Sequence, residues 1–192
     1  MTKDLLAEML NEPSSVKEKK SDFMKIGVGD TKLRVLTSFE PVYKLYKGEY
    51  PNNEFVGYVE ENKAVDGHEV RLEGWAWVIE RSTGEVKLLT VGRGILKLLA
   101  QLRSNDEYAF DEFPMPYDIT IKNTGDGPNR YSITAARKNT PITEAETALL
   151  AEKTPVSEII SKMKEKAAKG QPNKRSYPTP EEEGINVDEV GF

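Results

Sequence analysis

Glu69-Val70-Arg71-Leu72-Glu73-Gly74-Trp75-Ala76-Trp77-Val78-Ile79-Glu80, followed by Arg81-Ser82-Thr83-Gly84 and then Val86 to Val91, is the stretch whose reading decides the fold. The first run is rich in β-branched and aromatic residues and has no proline. A polar tetrapeptide ending in glycine turns it into a second apolar run, which is the signature of a β-hairpin. Upstream, Thr31 to Phe39 alternates, with Leu33 and Val35 on one face and Lys32 and Arg34 on the other. Tyr43 to Lys47 extends that strand or forms a second one. Glu49 to Gly67 reads as a loop, with Pro51, three Asn and two Gly.

Downstream, Ile95, Leu98, Leu99 and Leu102 recur at helical spacing from Arg93 onward. Tyr117 to Lys122 predicts a strand with Ile119 and Ile121 inward. Arg130 to Ala135 predicts another, with Tyr131 and Ile133 sharing a face. Asn123 to Asn129, containing Gly125-Asp126-Gly127-Pro128, joins them. Further on, Thr143 and Glu146 have capping-box spacing at the start of a helix over Glu144 to Lys153. Pro155, capped by Thr154, suits the first position of a last helix. Its apolar stripe is Val156, Ile159, Ile160, Met163 and Ala167.

Three strands, one helix and two strands is the element order of the OB-fold, a five-stranded Greek-key barrel that binds oligonucleotides and oligosaccharides. The expected fold class is therefore mainly β with helices. The expected organisation is a flexible N-terminal arm over 1–22, an OB-fold domain over 23–138, C-terminal helices over 139–169, and a linker with an acidic tail over 170–192.

The 192 residues carry a net charge of −5. The segment 181–192 holds five acids and no base, so residues 1–180 sum to zero. Any polyanion site must then be a local patch and not a global field. The absence of cysteine excludes disulfides and Cys-based zinc sites and points to a reducing, cytoplasmic setting. Met1 to Leu10 lacks the pattern of a signal peptide. No run approaches the roughly 20 apolar residues that span a bilayer.

Residues for catalysis are few. His68 is the only histidine, and its loop setting reads as surface. Gly92-Arg93-Gly94 opens a helix after a strand, but Lys97 stands where a dinucleotide fingerprint needs its third glycine. The expectation is a protein that is not an enzyme and needs no cofactor or metal. Residues for single-strand binding are better represented, since that task needs rings for stacking and cations that track phosphates. The expected groove is lined by Arg34, Lys44, Lys87, Lys122 and Arg130. Bases stack on Tyr43, Tyr46 and one of Trp75 and Trp77, the other tryptophan belonging to the core.

Four stretches carry a family resemblance: Phe23 to Phe39; Trp75 to Arg81 with Gly84 to Leu89; the helix with Ile95 and Leu98; and Tyr117 to Lys122 with Gly125-Asp126-Gly127 and Arg130 to Ile133. Together they resemble the single-stranded DNA-binding proteins of tailed bacteriophages, in the T4-type helix-destabilising group, and less closely bacterial SSB. The resemblance implies largely sequence-tolerant binding of single-stranded DNA in phage replication and recombination, within the bacterial host cytoplasm. It also implies a tail that recruits replication proteins such as a polymerase, helicase or nuclease, here through Asp188, Glu189 and Phe192. That group's zinc site does not carry over, because its cysteines are missing. The competing reading is an OB-like protein-interaction module with weak nucleic-acid affinity, favoured by the near-neutral body.

Overall fold

The chain is described from a computed structural model, covering residues 22–49, 52–60, 65–125, 127, 129–137 and 140–169. The elements run β1 (Phe23–Met24), β2 (Gly29–Val35), β3 (Glu40–Lys47), β4 (Glu54–Val59), β5 (His68–Glu80), β6 (Val86–Gly92), α1 (Arg93–Arg103), β7 (Ile119–Asn123), β8 (Tyr131–Ala135), α2 (Glu144–Ala151) and α3 (Val156–Ala168). The protein is mainly β, an open, mixed sheet of eight strands with helices packed on it.

The hairpin that opens the sequence reading is the spine. β5 is 13 residues long and pairs antiparallel with β6 along one edge. On its other edge it meets β3 over His68 to Trp75 and β2 over Val78 to Glu80. The main path is β1-β6-β5-β2-β7-β8, with β3 and β4 branching off as an arm. All pairs are antiparallel except β1 with β6. β6 and β8 are not paired with each other, and α1 packs against both.

Alternation along β5 explains the two cores. Ala76 and Val78 face inward with Leu33, Val35, Leu89, Val91, Ile119 and Ile121, under Ile95 and Leu99 of α1. Trp75, Trp77 and Ile79 face the opposite side with Leu36, Val42, Val86 and Leu88, and Val156 and Ile160 of α3 cover them. A strand buried on both faces reads as a continuous apolar run, which is what Trp75 to Ile79 is. Gly74 marks where α1 crosses close to β5. A Cβ there would lie 2.6 Å from Leu96 Cδ2 and 3.2 Å from Phe39 Cδ1.

The structure differs from the sequence reading in four places. The expected strand over Thr31 to Phe39 stops at Val35; of the two readings of Tyr43 to Lys47, the second strand is the one that forms, as Glu40–Lys47. The segment read as loop contains β4. Leu45 lies opposite Gly57 and Tyr46 opposite Phe55, so Val56 is an extra, bulged residue. That bulge breaks the period-2 signal by which a strand is recognised. β1, only two residues long, is too short to give a pattern. Finally, Pro155 takes the cap position of α3 itself, with no side-chain cap bond. The Thr143–Glu146 capping box at α2 is formed, with both of its reciprocal hydrogen bonds.

Candidate nucleic-acid interface

The sequence-predicted residues fall on several surfaces. Arg34 was expected to project outward, but it is fully buried. Its Nε donates to Asp118 Oδ1 at 2.7 Å, and its Nη1 donates to the carbonyls of Met115 and Thr140 at 3.2 and 2.7 Å. The alternation that sends Leu33 and Val35 inward does send Arg34 to the other face. That face is covered at this point by the chain around Met115 and Thr140, so the residue ends up inside.

Trp75 and Trp77 correct a second expectation. They were assigned different roles, one core and one platform, yet both are buried, at 0% and 4% exposure. Residues two apart in a strand share a face and therefore share its covering. The indole N–H groups are both satisfied. Trp75 Nε1 donates to Glu73 Oε2 at 3.0 Å, and Trp77 Nε1 donates to the Thr154 carbonyl at 2.9 Å.

Two of the expected cations are neutralised. Lys44 is buried, with Nζ 2.6 Å from Glu73 Oε2 and 5.6 Å from the centre of the Trp75 ring. Lys87 lies opposite Val78, on the inward side of β6, where its Nζ meets Glu80 at 2.7 Å and Glu85 at 3.2 Å. Tyr43 and Lys44 are adjacent and so point to opposite faces of β3. Arg34 and Lys44 are buried, and Lys87 lies on the face of the sheet opposite to that of Lys44, so the five cations do not line one groove.

Lys122 and Arg130 remain as expected. Lys122 is exposed on β7 and forms no ion pair among the described residues. Arg130, exposed just before β8, places its guanidinium 4.9 Å from the centre of the Tyr131 ring. Lys32, which was not singled out for binding, joins them on the outer side of β2 with its side chain 58% exposed. Asp188, Glu189 and Phe192 lie outside the described residues.

The arm formed by β3, β4 and the first half of β5 carries a second set. Tyr46 packs edge-on against Phe55 at 5.8 Å, and Phe55 against Tyr58 at 5.1 Å. Arg71 covers Tyr46, with 4.6 Å from guanidinium carbon to ring centre, and forms a surface ion pair with Glu69 at 2.6 Å. All three residues are half-buried, and Tyr58 packs against the second core. Tyr43 is half-buried on the other face of the arm. Phe55 and Tyr58 escaped the sequence reading because β4 did. The signal present was the aromatic pair within Glu54 to Val59.

A charged cluster ties the interface to the helices. Asp118 accepts from Arg34 and from Arg81, whose Nη2 is 2.9 Å away, and Arg81 also pairs with Glu146 at the start of α2. Burial alone would raise the Asp118 carboxyl. The hydrogen bond from Arg81 and the charges of Arg34 and Arg81 outweigh it and hold the group below the ordinary carboxylate range. Glu146 is likewise lowered: burial pushes it up, but the Thr143 N–H and Arg81 outweigh that. Both folded values lie below the unfolded ones, near 4, so their stabilisation is present above about pH 4 and lost as the pH falls through the folded values. Urea unfolding midpoints across the pH range are expected to hold steady near neutrality and drop in acid. Asp118→Asn should flatten that acid slope, and an unchanged slope would refute the assignment.

Among the described residues no three His, Asp or Glu side chains gather to hold a metal ion, and no helix is long and apolar enough to cross a membrane. No family model, curated protein or solved structure matches this chain.

Proposed function

We propose that the protein binds single-stranded DNA on an OB-fold, without catalysis, in phage replication or recombination in the host cytoplasm. In this reading β2 and β3 are the two halves of a bent first strand. β5, β6, β7 and β8 are strands two to five, and α1 sits between strands three and four. Oligonucleotides then engage the face of strands two and three and the two loops that flank it. The first of those loops is the arm with β4, and the second is the β7–β8 turn.

The observation that carries the proposal is the half-buried ring set Tyr46, Phe55 and Tyr58 with Arg71 stacked on Tyr46. Base–aromatic stacking contributes roughly 1–3 kcal/mol per base and tolerates any sequence. Lys122 and Arg130 supply cations at the other flank. The acidic segment 181–192 recruits replication proteins, with Asp188, Glu189 and Phe192 as the contact residues.

Fluorescence anisotropy of labelled oligo-dT tests the assignment of residues. Phe55→Ala should weaken binding roughly 5- to 150-fold, the range of one lost stacking contact. Lys122→Ala with Arg130→Ala should reduce the salt slope by about 1.4, the value for two phosphate contacts on a single strand. Wild-type affinity and slope in both variants would remove these surfaces from the interface.

The neutralisation of Lys44 and Lys87, and the burial of Arg34, favour the second reading. In it the sheet is an OB-like protein-interaction module with weak nucleic-acid affinity.

A further inference from the structure

The rings of the arm and the two tryptophans lie on one face of the sheet. Arg71, Trp75 and Trp77 are even numbers of residues apart along β5, so their side chains leave the same side. Lys44 lies opposite both Arg71 and Tyr58, and Tyr46 lies opposite Phe55. Directly opposed residues share a face, which puts Tyr46, Phe55 and Tyr58 on the side of the tryptophans. Phe55 and Tyr58 are three residues apart and can do this because the bulge at Val56 resets the alternation between them. The face is thus one strip of rings that continues from the arm along β5.

α3 lies across that strip, in contact with β3, β4 and β5. Val156 and Ile160 are its two buried residues, and they share a cluster with Trp77, while Ile159, Met163 and Tyr58 pack alongside. The turn that leads into α3 is fixed to Trp77. The indole N–H donates to the Thr154 carbonyl at 2.9 Å, and the Lys153 ammonium stands 5.3 Å from the ring centre. The cover is of a kind that can lift. α3 has 13 residues, and helices below about 12–15 residues are marginal in water by themselves, so it depends on the contacts beneath it. It has no side-chain cap bond, and the Lys153–Asp22 ion pair beside it is a surface one, with the Asp22 side chain 72% exposed. Segments held by few buried contacts open locally while the rest of a fold stays closed.

We infer that the single-strand site continues under α3, and that α3 and single-stranded DNA compete for it. When α3 lifts, Trp77 becomes a stacking ring continuous with Tyr58, Phe55 and Tyr46. This inference rests on the reading that single strands engage the face of β5 and β6, because that is the face α3 covers. The affinity of the full chain is then the affinity of the uncovered face multiplied by the fraction of molecules in which α3 has lifted. Loosening α3 should therefore tighten binding, the reverse of what loss of a supporting helix would do.

The test compares the full chain with Ile160→Ala and Met163→Ala, which thin the underside of α3 and leave every ring in place. Anisotropy of labelled oligo-dT gives the affinity, and backbone hydrogen exchange over 156–168 reports on the helix. Oligo-dT is expected to speed exchange across α3 and to quench the tryptophan emission. Ile160→Ala should bind oligo-dT at least about tenfold more tightly than the parent. Met163→Ala, at a half-buried position, should bind more tightly by a smaller factor, and it carries the test if Ile160→Ala does not fold. Oligo-dT binding that leaves α3 exchange unchanged or slowed overturns the inference, as do folded variants that bind no more tightly than the parent. Either result leaves single strands on the rings of the arm with α3 in place. No oligo-dT binding by the parent or by either variant overturns the face itself as a single-strand site, and this inference with it.

Discussion

Trp75→Ala and Trp77→Ala are each expected to lower folding stability by about 3–5 kcal/mol, the usual cost of truncating a buried aromatic. Both rings are buried on one face of β5, and each change would leave a cavity beneath α3; Glu73 would keep Lys44, whereas the Thr154 carbonyl would lose its indole donor. Trp75 also loses its edge-on contact with Phe23, at 6.0 Å between ring centres. Trp77 loses its tie to the Thr154 carbonyl at the start of α3, so this variant should also loosen that helix. Urea denaturation with circular dichroism as the readout measures both. A loss below about 1 kcal/mol in either variant would mean that α3 does not cover that ring in solution.

Arg34→Ala is the second large effect, again about 3–5 kcal/mol, the usual range for removing one partner of a buried ion pair. Here Asp118 keeps Arg81, but the carbonyls of Met115 and Thr140 lose their shared donor. Those two carbonyls belong to the segments entering β7 and α2, so the loss falls on the junction between sheet and helices. Lys122→Ala should leave stability within about 0.5 kcal/mol, as for an exposed surface change. Comparable losses from Arg34→Ala and Lys122→Ala would contradict the burial of Arg34.

The contrast between Arg34 and Lys122 marks what could be read from the sequence. Period-2 alternation placed both correctly on the outer side of their strands. It carries no information about whether a distant segment covers that side. Lys122 stays open, while the chain around Met115 and Thr140, more than 80 residues away, closes over Arg34. The tryptophans fail for the same reason: their shared face was legible, and its burial under α3 was not. The hairpin, α1, the β7–β8 pair and the α2 capping box rest on local patterns and were readable. β4 was not, since its bulge at Val56 breaks the alternation that would have announced it, and with β4 went Phe55 and Tyr58.

Binding of a labelled oligo-dT across a salt series tests the central claim most directly. The account predicts binding at micromolar protein or below in low salt. Affinity should fall linearly on logarithmic axes with added salt, by about 0.7 per neutralised phosphate, and duplex DNA of the same length should bind more weakly. No binding at micromolar protein in low salt, or binding that salt does not weaken, would contradict it and leave the protein-interaction module as the better reading of this sheet.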